Sequence, residues 1–144
     1  LDPDCPHSRE TFFNLRQLIK MSRVRVEIEL IATREKGIQL REMLLSNKAG
    51  GAASICFLDI AFSYYDLLST EDVKKIPAIC GIPEFSLQNT EKNDKLPAGS
   101  LPSFCSSRMT PCLYLARHAM EGGMSLNFLK FAVSRAAERR NVER

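Results

Sequence analysis

Arg23-Val24-Arg25-Val26-Glu27-Ile28-Glu29-Leu30 alternates charged and apolar residues at every position, and three of its four apolar residues are β-branched. Period-two alternation is the signature of a half-buried strand. The same residues also sit on a helical repeat. Leu15, Ile19, Ser22, Val26, Leu30, Thr33, Gly37, Leu40 and Leu44 form one stripe, and Met21, Val24, Ile28, Ile31, Ile38 and Leu45 form a second. The flanks, Glu10 to Lys20 and Glu29 to Leu45, are rich in helix formers, and Gly37 costs a helix only about 1 kcal/mol. They tip the reading to a long N-terminal helix or helix pair between Ser8 and Asn47, packed on two sides, with Ser8, Glu10 and Thr11 in its first turn. The alternative is an α+β fold with a strand over 23–32, a turn from Thr33 to Gly37 and a short helix from Ile38 to Asn47.

Outward from this stretch the chain reads as mainly α, a single-domain helical bundle with a Pro-containing loop. Lys48-Ala49-Gly50-Gly51 is a hinge by composition. Ala52 to Leu68 reads as a buried helix with Ile55, Leu58, Phe62 and Tyr65 on one side and Cys56, Ile60 and Leu67 on the other. Ser69-Thr70-Glu71-Asp72 starts another, which Pro77 ends early. Between Gly81 and Arg108 come Pro83, Pro97, Pro102 and the polar run Gln88 to Lys95, so a connector is expected, poorly ordered from about Ser86 to Ser100. Thr110-Pro111 reads as an N-cap with proline at the first helical position, closed by Gly122-Gly123. Ser125 opens a last helix with Leu126, Leu129, Val133 and Ala136 on its apolar stripe and Phe128 and Phe131 as further packing residues. The expected organisation is one helical domain over 1–144: a helical core at 8–80, a flexible connector at 81–108 and a terminal helical hairpin at 109–144.

The 144 residues, 44% hydrophobic and 26% charged, are an ordinary globular composition, and a chain of this length buries enough surface to need neither disulfide nor metal. The longest apolar stretch is broken by Asp59 and Asp66, short of the roughly 20 residues a membrane span needs. The opening Leu1-Asp2-Pro3-Asp4 has neither a basic nor an apolar leader region, so no signal peptide is expected, and without an initiator Met the chain is expected to be a fragment or a processed product. Five cysteines, at 5, 56, 80, 105 and 112, are an odd number without a compact framework. Cys56 and Cys80 lie in apolar company, where free Cys acts as a small hydrophobe. Reduced thiols and a nuclear or cytoplasmic, intracellular setting follow as expectations.

Chemistry-bearing sets are few. Cys105, Cys112 and His118, completed by Cys5 and His7, are the metal candidate, but their spacings are not those of zinc modules, and Cys112 and His118 on one helix would lie about 240° apart. A Cys112 nucleophile served by His118 or His7 has no supporting signature. Phosphate loops, metalloprotease helices and nucleophile elbows do not occur. No metal, cofactor or catalytic residue is therefore expected. The basic end is the last helix, where Arg135, Arg139, Arg140 and Arg144 gather, diluted by Glu138 and Glu143.

Arg23 to Lys36, with Arg25, Glu29-Leu30-Ile31 and Arg34-Glu35-Lys36, resembles the helix that follows the extended PHD module in JADE- and peregrin-type scaffold proteins, which implies a helical segment here. Thr110-Pro111-Cys112-Leu113 resembles the opening of an ankyrin repeat, without the second copy that a solenoid needs. The leading function is a non-enzymatic protein–protein interaction or scaffolding domain. Its partner, or a second copy of the chain, would bind an apolar helix face of Leu15, Ile19, Val26, Leu30, Leu40 and Leu44. The alternatives are a nucleic-acid-associated domain using the C-terminal arginines and a secreted helical-bundle ligand.

Overall fold

In a computed structural model the chain is mainly helical, in the order α1 (Pro6–Met21), α2 (Glu35–Ser46), α3 (Gly51–Ser63), α4 (Thr70–Val73), α5 (Ile76–Ile79), β1 (Cys112–Leu115), β2 (His118–Glu121) and α6 (Leu126–Val142). The structure describes residues 1–32, 34–46, 51–82, 110–115 and 117–142. The expected connector at 81–108 lies outside them apart from Gly81 and Ile82. Two compact units form, one of Leu1–Glu29 with Leu101–Arg144 and one of Leu30–Ser100.

In the first unit α1 starts at Pro6, whose missing N–H costs nothing at a first helical position, and buries Ser8, Thr11, Phe12, Leu15 and Leu18. Continued at helical spacing, that face would run through Ser22, Arg25 and Glu29 and draw two charges out of water. The chain leaves the helix instead. The Ser22 N–H and hydroxyl both donate to the Leu18 carbonyl, at 2.9 and 2.6 Å. From Arg23 onward exposure alternates: Arg23, Arg25, Glu27 and Glu29 are exposed, and Val24, Val26 and Ile28 are half-buried. One unbroken helix from Ser8 to Asn47 is therefore corrected to the pair α1 and α2, and the segment that the PHD-type resemblance implied to be helical is non-helical from Arg23 to Ala32. The strand alternative has the right period, but the sheet among the described residues contains only β1 and β2.

The expected helix over 111–121 is a β-hairpin, so the terminal helical hairpin becomes a β-hairpin followed by a helix. Cys112 faces Glu121, Leu113 faces Met120, Tyr114 faces Ala119 and Leu115 faces His118. A two-residue connection turns the chain, with Arg117 at φ 68°. Gly122 at φ 96° takes a conformation open to a residue without Cβ, and its N–H donates to the Pro111 carbonyl at 2.8 Å, continuing the ladder. Proline and glycine punctuate this segment as the sequence suggested; they close a hairpin rather than cap a helix. The Met124 N–H donates to Thr11 Oγ1 at 3.1 Å, and Asn14 Nδ2 donates to the Met124 carbonyl at 2.8 Å, fixing the chain beyond the hairpin to α1. Ser125 then caps α6 by accepting the Phe128 N–H at 3.2 Å. α6 packs on α1, and its covered side is the predicted stripe, with Leu129 buried and Leu126, Val133 and Ala136 half-buried.

The second unit is helical. Leu30, Leu40, Phe57, Leu58, Phe62, Tyr65, Val73 and Ile76 are buried in it. Ile55 and Leu67, expected inside, are exposed; Leu67 lies beyond α3, which stops at Ser63. Gly37 is more than a tolerated helix glycine: a Cβ there would stand 3.0 Å from the Ala32 Cβ. Lys36 beside it sends its ammonium to the Leu68 carbonyl at 2.9 Å and to that of Tyr65, 4.2 Å from the Tyr65 ring centroid. Ser69 and Asp72 form a full capping box at the start of α4, as their spacing predicted. Pro77 ends nothing; it occupies the first turn of α5. Cys56 and Cys80, expected as reduced thiols, are joined in a disulfide across 24 residues. Their apolar company packs α3 beside α5, and that proximity makes the bond.

Candidate functional site

The six residues of the proposed apolar face do not share a helix. Leu15 and Ile19 are on α1, Val26 and Leu30 on the extended chain, Leu40 and Leu44 on α2. Leu15, Leu30 and Leu40 are buried, which removes them as contact residues, and Ile19, Val26 and Leu44 are half-buried. The non-helical segment between α1 and α2 breaks the stripe.

An uncovered stripe exists on α6, where sequence reasoning assigned its aromatics to packing. Phe128, Phe131, Arg135, Glu138 and Val142 follow at three- and four-residue steps, so they align on one side of the helix, and all five are exposed. Phe128 is 44%, Phe131 62% and Val142 86% exposed. Between them Arg135 Nη1 donates to Glu138 Oε2 at 3.0 Å. This correction of Phe128 and Phe131 has a simple cause. Leu126, Leu129, Val133 and Ala136, with Lys130 and Ala132, take the covered side, and the two phenylalanines lie off it.

The basic end is partly spoken for. Arg135 is paired with Glu138, and Arg139 Nη1 donates to His118 Nε2 at 3.2 Å. Arg140 is exposed, and Arg144 lies outside the described residues.

The metal candidate is dispersed. Cys112 is disulfide-bonded and sits at the opposite end of the hairpin from His118, His7 lies against Gly123, and Cys105 is outside the described residues. Among those residues no cluster could hold an ion. Cys5 is a free thiol. It precedes the first turn of α1, and its Sγ–H donates to the Thr110 carbonyl at 3.5 Å. Burial pushes this thiol up, but hydrogen bonds from the Thr110 side chain, from the Ser8 and His7 backbone and from the Ser8 hydroxyl together hold it below the ordinary cysteine value. In the second unit Arg41 is only 8% exposed, and its Nε has no hydrogen-bond partner among the described residues.

No family model, characterised protein or solved structure matches the chain. Among the described residues no helix is long and apolar enough to cross a membrane.

Proposed function

We propose that the chain is a non-enzymatic protein–protein interaction module of the scaffolding kind, and that its contact surface is the outer side of α6. The observation that carries this reading is the exposed run Phe128, Phe131, Arg135 and Val142 on a helix whose other side is already covered. Aromatic side chains and arginine supply most of the binding energy in protein interfaces. A solvated helix end, by contrast, has no use for two exposed phenylalanines a turn apart. The nucleic-acid reading draws less support, since two of its arginines already have partners.

The secreted-ligand alternative gains from the Cys56–Cys80 bond and the oxidised Cys112. Structural disulfides belong to oxidising compartments, so the reading adopted is an interaction module working in one, in place of the nuclear or cytoplasmic setting inferred from the odd cysteine count. The test compares full-length tagged chain with the F128R/F131R variant, both verified as folded by circular dichroism, in quantitative mass spectrometry of co-purifying proteins. Loss of two interface anchors should lower recovery of specific partners by roughly 30-fold or more. Equal recovery by both chains would remove α6 as the contact surface.

A further inference from the structure

Arg23 to Glu29 is a strand in every respect but one. It has no helix, turn or bend, exposes its charged residues and half-buries its apolar ones. Yet among the described residues no backbone hydrogen bond reaches Val24 through Ile28. Unpaired N–H and C=O groups on such a segment are a template for another strand. The two edges differ. The Glu29 carbonyl accepts from the Leu1 nitrogen at 2.8 Å, and in extended chain alternate residues point their backbone groups to opposite edges. Leu1 therefore sits on the edge of Glu29, Glu27 and Arg25. The open edge is that of Val24, Val26 and Ile28.

The charges say what fits there. Arg23, Arg25, Glu27 and Glu29 are antisymmetric about Val26. We propose that two copies of the chain pair antiparallel through this segment, on a two-fold axis at Val26. In that register Arg23 faces Glu29, Arg25 faces Glu27, Val24 faces Ile28 and Val26 faces its own copy. Every charged residue then meets its opposite, and the open-edge residues are the ones that exchange N–H···O bonds. Centring the pair on Arg25 sets arginine against arginine, and centring it on Glu27 sets glutamate against glutamate. Parallel in-register pairing aligns like charges throughout. A self-complementary patch related by a two-fold closes as a dimer. The Arg25–Glu27 pair within one chain, at 3.4 Å, is almost fully exposed and competes weakly.

This pairing does not depend on the α6 reading. The test is sedimentation of the full-length chain from micromolar to millimolar concentration, with circular dichroism to verify folding. Wild type should be a dimer. R23E/R25E makes all four charges negative and E27R/E29R makes all four positive, so each should dissociate about 100-fold more readily. Mixing the two variants should restore a dimer, and so should the swapped chain R23E/R25E/E27R/E29R. F128R/F131R should dimerise like wild type, which separates failure of this inference from failure of the α6 reading. A monomeric wild type, a dimer that survives both double reversals, or a mixture that stays monomeric would overturn the proposal.

Discussion

In the unit that contains residues 30–82, a disulfide ties α3 to the end of α5, a capping box finishes the start of α4, and Lys36 lies across two carbonyls that follow α3. Its exposed apolar residues Leu45, Ile55, Tyr64, Leu67 and Ile79 are scattered along the chain, and single exposures are ordinary. The unit of residues 1–29 with 110–142 is held by bonds from α1 to a distant stretch of chain, and it leaves three things unfinished. These are a segment at 24–28 that no backbone hydrogen bond reaches among the described residues, an aromatic stripe on α6 and a free Cys5 thiol. Unsatisfied backbone and uncovered aromatics are what a second molecule can satisfy, and both proposed contact surfaces lie on this unit.

The largest effect should come from opening the closed unit. The bond between Cys56 and Cys80 closes a loop of 24 residues in sequence separation, so C56A/C80A should lower the stability of that unit by about 3 kcal/mol. Amide exchange over 51–82 measures this, and a loss under about 1 kcal/mol would mean that the helices hold without their staple. A smaller effect is expected where the other unit is joined by hydrogen bonds. Thr11→Val keeps the shape of a buried side chain but strands the Met124 N–H, which should cost about 2 kcal/mol in urea unfolding. No measurable cost would show that this join is not what holds the two stretches together.

The smallest effect concerns Cys5. Its thiol lies below the ordinary value when folded, so the thiolate forms at lower pH in the native chain than in the unfolded one. The midpoint of alkylation rate against pH should rise when urea is added. An unchanged or falling midpoint would contradict the hydrogen bonding described at the start of α1.

Much of this was legible in the residues. Ser69 with Asp72, Ser125 before Leu126, and the stripe Leu129, Val133 and Ala136 carry local helix chemistry and were placed correctly. Arg23 to Leu30 displayed its period openly, but helix formers on both sides outweighed it. What decided against the helix was the orientation of α1, whose buried face runs toward Arg25 and Glu29. The hairpin at 112–121 was hidden because Thr110-Pro111 and Gly122 punctuate a helix or a hairpin equally well. The Cys56–Cys80 bond and the carbonyls under Lys36 depend on which helices come together, and sequence spacing does not encode that. The exposed stripe on α6 was within reach, since Phe128 and Phe131 stand off the apolar stripe that was itself identified.

The most direct test of the open edge is residue-resolved amide exchange by NMR at rising protein concentration. In dilute solution the amides from Val24 to Ile28 should all exchange freely. On concentration those of Val24, Val26 and Ile28 should gain protection while those of Arg25 and Glu27 stay fast, with the amides of Leu113 and Met120 in the hairpin protected throughout. Protection of Val24, Val26 and Ile28 already complete in dilute solution, or absent at every concentration, would contradict the account.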